Sequence, residues 1–196
     1  PGASAAHPQA VVIGASAGAV EALSIILPSL PVGYALPVMI VVHMPPDRKN
    51  TIVELFNAKC RLPVKEAEDK EPIEPGTVYF APPNYHLLIE PDFRLSLSSE
   101  EPVLYSRPSI DVLFESAADA YGSGVIGIVL TGANSDGASG LRAIAQAGGS
   151  TIVQTPHSAQ AAAMPQAALK ACPGAAVLEL EEIASLLSKL SRAGVA

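Results

Sequence analysis

The chain has 196 residues, enough to bury a sizeable core in one α/β domain and short for two. Hydrophobic residues make up 49% of it and aromatics only 5%, the balance expected where parallel strands lie beneath helices rich in small residues. The formal net charge of −7 argues against nucleic acid or an anionic membrane surface as the main partner.

Residues 1–9 are small and polar, without a basic start and apolar stretch, and read as a disordered lead-in and not as a signal peptide. Residues 10–14 read as a buried strand, and 19–27 as a helix stopped by Pro28. A second strand covers 37–42, cut short by His43 and the pair Pro45-Pro46, and a helix follows over 51–59. This alternation predicts a doubly wound, mostly parallel sheet flanked by helices. Between 77 and 98 the pattern changes to three short pieces (77–81, 86–90 and 94–98) divided by prolines. They are expected as antiparallel hairpins added to the sheet edge, where proline is tolerated. A helix over 110–120, a strongly apolar strand over 124–131 and a helix over 138–147 come next. Strand 150–154, helix 159–171 with a break near Met164-Pro165, strand 175–179 and helix 181–190 close the chain. The domain is expected to span 10–193, with no repeat or linker dividing it.

The two cysteines, Cys60 and Cys172, are far apart and form no C-x-x-C pair, which suits reduced thiols in a cytoplasmic protein. No stretch approaches the ~20 apolar residues of a membrane span. No cluster of metal-binding residues is visible, so neither metal nor cofactor is expected.

In open parallel sheets, ligands bind beyond the carboxyl ends of the strands, and three segments place reactive side chains there. Gly14-Ala15-Ser16-Ala17-Gly18 fits the G-x-S-x-G elbow, in which a sharp strand-to-helix turn exposes a serine beside free backbone N–H groups. The same residues could be a glycine-rich turn with Ser16 as a helix N-cap, or a phosphate cradle. No P-loop lysine or G-x-G-x-x-G pattern accompanies them. His43 ends an apolar strand before a rigid turn, a position for a general base or for a structural histidine. His7, His86 and His157 are weaker candidates, lying in the tail, a hairpin and a loop. Asp136 follows the most apolar strand and could orient a histidine, or simply cap the helix that starts near Ala138. Each reading alone favours the structural role. Together, a nucleophile, a base and an acid follow three strands at one sheet edge. Their order, Ser-His-Asp, differs from the α/β-hydrolase order, which excludes that fold and leaves the chemistry open.

Several segments resemble the CheB-type receptor methylesterases. They are Ile13-Gly14-Ala15-Ser16, Val42-His43-Met44-Pro45-Pro46, Arg107-Pro108-Ser109-Ile110-Asp111 and Leu130-Thr131-Gly132 with Asp136-Gly137-Ala138. The Lys65–Asp69 stretch and Met164-Pro165 are similar too. The resemblance implies a serine hydrolase that demethylates glutamyl methyl esters on chemoreceptor signalling helices, and deamidates receptor glutamines. It implies Ser16 as nucleophile, His43 as base and Asp136 as orienting acid, with Ala17, Ala133, Arg107 and Met44 at the oxyanion site or substrate cleft. Arg107 could equally be a surface residue preceding the helix at Pro108. Chemotaxis signalling and phosphorelay, chemoreceptor helices as partners and a phosphorylatable receiver domain as regulator are implied likewise. Two departures stand out. Ala17-Gly18-Ala19 replaces the family's usual threonine and two glycines, and Ala133-Asn134 replaces its Met-Gly. These changes suggest a competing reading, a catalytically weak regulator that binds receptors or a signalling partner. A nucleotide-binding domain built on the Gly14–Gly18 turn is a third reading, disfavoured by the missing phosphate lysine.

Overall fold

The computed structural model describes residues 7–44 and 51–190; residues 1–6 of the lead-in expected over 1–9, the Pro45-Pro46 turn and residues 191–193 of the expected domain lie outside them. Seven strands form one parallel sheet in the order β3-β4-β2-β1-β7-β8-β9. They are β1 (Ala10–Ala15), β2 (Val38–Val42), β3 (Val64–Glu66), β4 (Val78–Phe80), β7 (Val125–Val129), β8 (Ser150–Gln154) and β9 (Ala176–Leu178). A separate antiparallel pair, β5 (His86–Ile89) and β6 (Leu95–Ser98), lies outside that sheet. The helices are α1 (Ala19–Ile26), α2 (Thr51–Lys59), α3 (Ile110–Tyr121), α4 (Ala138–Gln146), α5 (Ala163–Ala171) and α6 (Leu180–Leu190).

The central strands β1 and β7 are buried along their whole length. Unbroken apolar sequence is what a parallel strand covered on both faces requires. Side chains alternate across β1. Val11 and Ile13 pack with Leu23 and Ile26 of α1, Phe56 of α2 and Leu187 of α6. Ala10 and Val12 face the other layer, with Leu113 and Phe114 of α3, Ile144 of α4 and Met164 of α5. Two hydrophobic layers therefore clamp the sheet.

The expected doubly wound, mostly parallel sheet is present, with one strand moved. Segment 77–81 was expected in an edge hairpin, yet β4 runs parallel inside the sheet between β2 and β3. Val78, Tyr79 and Phe80 are all buried, so this run behaves as a covered core strand; Pro82 and Pro83 follow the last paired residue and cost no ladder bond. Strand β3 had no counterpart in the sequence reading. The hairpin expected over 86–98 does form, but it packs Leu87, Ile89 and Leu95 with Leu113 and Phe114 of α3 instead of extending the edge. Helix α5 starts at Ala163, later than expected. The residues before it are drawn toward the strand ends by bonds from Gly132 N–H to Ala161 O (3.0 Å) and from Met164 N–H to Gly132 O (2.9 Å).

From β1 the chain moves to β2 on one side of the sheet and later returns at β7 on the other. That reversal opens a crevice at the carboxyl ends of β1, β2 and β7. Ser16, His43 and Asp136 follow those three strands.

Candidate active site

Ser16 occupies the turn between β1 and α1. Its N–H donates to Thr131 O (2.9 Å), and its carbonyl accepts from Ala19 N–H (3.0 Å). Gly18 closes the turn at φ 83°, where a Cβ would meet Gln160 Cβ at 2.8 Å. Only glycine suits both the positive φ and that contact. The Thr131 hydroxyl donates to Ala17 O (2.8 Å) and accepts from Ala161 N–H (2.9 Å), which fixes the Ala17 peptide. Gln154, buried on β8, accepts from Thr131 N–H (2.9 Å) and braces the loop from behind. Among the described residues, the Ser16 hydroxyl and the N–H groups of Ala17 and Ala133 donate no hydrogen bond. Ser16 is half-buried, and both alanines are exposed. The turn thus presents a hydroxyl and nearby N–H donors that local structure does not consume.

His43 lies one residue beyond β2, and its N–H donates to Ala15 O (3.1 Å). That bond extends the β1–β2 register past Ala15–Val42, so His43 stands next to Ser16 across the strand ends. Its Nε2 is 2.7 Å from Asp136 Oδ2. A nitrogen facing a carboxylate carries the proton, which leaves Nδ1 as the accepting atom of the neutral ring. No Ser16–His43 side-chain hydrogen bond is present among the described residues, and apo sites often hold such pairs apart until substrate arrives.

Asp136 is fully buried and accepts four hydrogen bonds. Besides His43, they come from the Ser109 hydroxyl (2.9 Å) and the N–H groups of Ile110 (2.7 Å) and Asp111 (2.9 Å). Burial alone would raise its pKa, but the bond from His43, the N–H groups of Asp111 and Ile110 and the nearby imidazole outweigh it and hold the carboxyl below its ordinary value. The sequence alternative, Asp136 as the cap of its own helix, does not hold. Gly137 is the N-cap of α4 without a side-chain cap, and Asp136 instead caps the first turn of α3.

Arg107 and Met44 line a cleft of about 400 Å³ beside His43, together with Asn84, Tyr105 and Ser106. The Arg107 guanidinium is engaged within the protein: Nε and Nη2 donate to Asn84 Oδ1 (3.2 and 2.7 Å), and Nη1 donates to Ser99 O and Glu100 O (both 3.0 Å). It anchors the 99–107 segment as a cleft wall. At the tip of that segment Val103 and Ser106 exchange backbone bonds (3.0 and 2.8 Å), with Leu104 (φ 47°) and Tyr105 (φ 64°) both left-handed. Tyr105 is wholly exposed.

Ser109 and Asp111 join the site without having been singled out for it, and so does His86, one of the weaker candidate histidines. His86 is buried, accepts the Ser109 N–H on Nδ1 (3.1 Å) and donates from Nε2 to Glu101 O (3.0 Å). It therefore braces the residue whose hydroxyl binds Asp136. The available signal was the Ser109-Ile110-Asp111 sequence, which reads locally as a helix start and gives no sign that a carboxylate from another loop caps it. Among the described residues no group of three or more His, Cys, Asp or Glu could hold a metal ion, and no helix is long and apolar enough to cross a membrane.

The CheB methylesterase family model matches residues 11–187. A protein from Leptospira interrogans, provisionally named protein-glutamate methylesterase/protein-glutamine glutaminase, is 48% identical over 94% of this chain and 95% of its own length. The protein-glutamate methylesterase/protein-glutamine glutaminase of Salmonella typhimurium is 37% identical over 92% of this chain, which spans 53% of that longer relative. The crystal structure of the Thermotoga maritima CheB methylesterase catalytic domain superposes with a TM-score of 0.89 at 31% identity, covering 93% of this chain and 98% of that one.

Proposed function

This chain belongs to the CheB methylesterase family, and we propose that residues 10–193 form its catalytic domain, hydrolysing glutamyl methyl esters on chemoreceptor signalling helices through Ser16, His43 and Asp136. The supporting observation is the 2.7 Å pair between His43 and the fully buried Asp136, standing beside Ser16 at the reversal point of the sheet. Ser16 Oγ attacks the ester carbonyl while His43 Nδ1 takes its proton. The resulting imidazolium donates through Nε2 to Asp136, a charge-assisted bond to a fully buried carboxylate. The tetrahedral oxyanion is received by the N–H of Ala17, with that of Ala133 as second donor. Both are backbone groups, so the alanines found at these positions still supply them.

The proton on His43 then passes to the departing methoxide, and methanol leaves. Water, deprotonated by the same imidazole, attacks the acyl-enzyme and releases the glutamate carboxylate with Ser16 restored. A glutamine side chain would react by the same route and release ammonia, the second activity that its relatives' names carry. Met44 and the segment anchored by Arg107 form the wall against which the receptor helix lies. A receiver domain on a longer protein, or a separate regulator in the pathway, would act by covering this wall.

The test is methanol release from methylated receptor signalling domains, wild type against Ser16→Ala. Turnover that vanishes in the variant supports both the activity and its nucleophile. Turnover that survives in a folded Ser16→Ala protein would remove the mechanism.

A further inference from the structure

Asp111, in the first turn of α3, is only 7% exposed and has no part in the hydrolysis just described. Its Oδ1 accepts the N–H of Gly137 (3.0 Å) and of Gly140 (2.7 Å), at the start of α4. Asp136, in the loop before α4, accepts the N–H groups of Ile110 and Asp111 at the start of α3. The two helices thus exchange carboxylates, each aspartate satisfying the free N–H groups of the other helix. The exchange needs a close helix contact: a Cβ on Gly140 would stand 2.5 Å from Phe114 Cβ and 3.1 Å from Asp111 Cα.

The hydrogen bonds do not require a charge. Both N–H groups meet the same oxygen, and an asparagine amide oxygen could accept both, less strongly than a carboxylate. Oδ2 has no partner among the described residues. The charge is moreover costly. Burial pushes the carboxyl up; the Gly140 N–H opposes this, the Asp136 and Glu115 carboxylates add to it and the Gly137 N–H opposes it, leaving Asp111 at about 6. The ionisable groups around it are Asp136 on the α4 side, Glu115 on its own helix, His43 beyond Asp136 and His86 beyond Ser109. A buried anion whose place an uncharged amide could also fill, with its own N–H on the acid of the triad, has an electrostatic use.

We propose that Asp111 is a positioning residue of the triad: its side chain fixes the loop that carries Asp136, and its negative charge favours the imidazolium that His43 becomes when Ser16 attacks. The role rests on the triad reading and adds a second anion behind Asp136. Its pH logic follows from sign. A carboxyl with a raised folded-state pKa stabilises the fold fully below its unfolded value and loses that contribution as pH rises through about 6. At pH 7.5, therefore, charged Asp111 weakens the fold while it supports the reaction.

The experiment compares wild type, Asp111→Asn, Asp111→Ala, Ser16→Ala and His43→Ala by melting temperature at pH 7.5 and by kcat and KM from pH 5 to 8.5. Asp111→Asn is expected to melt at a higher temperature, to lose kcat several-fold at unchanged KM, and to show its acid limb displaced to lower pH. The displacement expected for removing one nearby charge is about half to one pH unit. Asp111→Ala, which frees two N–H groups, should melt lower and lose more kcat. A kcat and pH profile of Asp111→Asn that superpose on wild type, while Ser16→Ala and His43→Ala are dead, would overturn the positioning role alone. Full turnover in Ser16→Ala or His43→Ala would end the triad reading and this role with it.

Discussion

The two sides of the cleft are built by opposite means. On one side Asp136 is fully buried and held by four donors, His43 just past β2 and three groups at the start of α3, so His43 has little freedom. On the other, the 99–107 wall is held by the half-buried Arg107 and by His86 Nε2 on Glu101 O, and ends in a turn of two left-handed non-glycine residues. The buried side costs desolvation, which hydrogen bonds offset; the exposed side costs backbone strain, of order 1 kcal/mol or more for each such residue. The contrast suggests a division of labour, with the buried side setting the rate of the chemical step and the wall setting substrate affinity.

The sharpest test of that division is on the buried side. His43→Ala or Asp136→Asn should lower kcat by roughly 10³-fold or more with KM nearly unchanged, as expected for groups acting together in the transition state. A folded Asp136→Asn enzyme with wild-type kcat would break the comparison at its base. Arg107→Ala should do the reverse, raising KM about 10-fold through a loosened wall while kcat stays within a factor of two or three. If kcat falls with KM constant, the wall belongs to the chemistry after all.

Acid should separate the two sides as well. The lowered pKa of Asp136 gives stability that is present above the unfolded carboxyl value, ~3.9, and is lost as pH falls through the folded value. Asp136→Asn should therefore flatten the loss of melting temperature below about pH 4, whereas Arg107→Ala should leave its shape unchanged. The smallest effect belongs to the turn. Leu104→Gly or Tyr105→Gly should stabilise the protein by about 0.5–1 kcal/mol, read from denaturant midpoints, because glycine adopts positive φ without strain. If Tyr105 also touches the receptor helix, the stabilised Tyr105→Gly variant will show a raised KM.

Much of this molecule is written in local patterns. The unbroken apolar runs of β1, β2 and β7 announce covered parallel strands, and Ser16, His43 and Asp136 each fall just past one of them. Periodicity and turn chemistry suffice there because burial on both faces leaves little choice of residue. The same logic misplaced 77–81: three buried residues followed by two prolines look alike at an edge and in the middle of a sheet, and only the neighbours β2 and β3 distinguish them.

The sequence by itself determined the central strands β1, β2 and β7 and the places of Ser16, His43 and Asp136 after them, since each depends on residues within one element or its adjoining turn. Tertiary structure alone decided what those groups do to one another. Asp136 reads locally as a cap for the helix it precedes, yet three of its four donors lie 25 to 27 residues away, at the start of α3, and the fourth is His43. Arg107 reads as a cleft residue or a surface arginine before Pro108, and only the fold brings its guanidinium onto Asn84, Ser99 and Glu100. The physical reason is the same in both. Hydrophobic period encodes which face of an element is buried, while a hydrogen-bond partner depends on how two elements cross, and no residue pattern within either element fixes that angle.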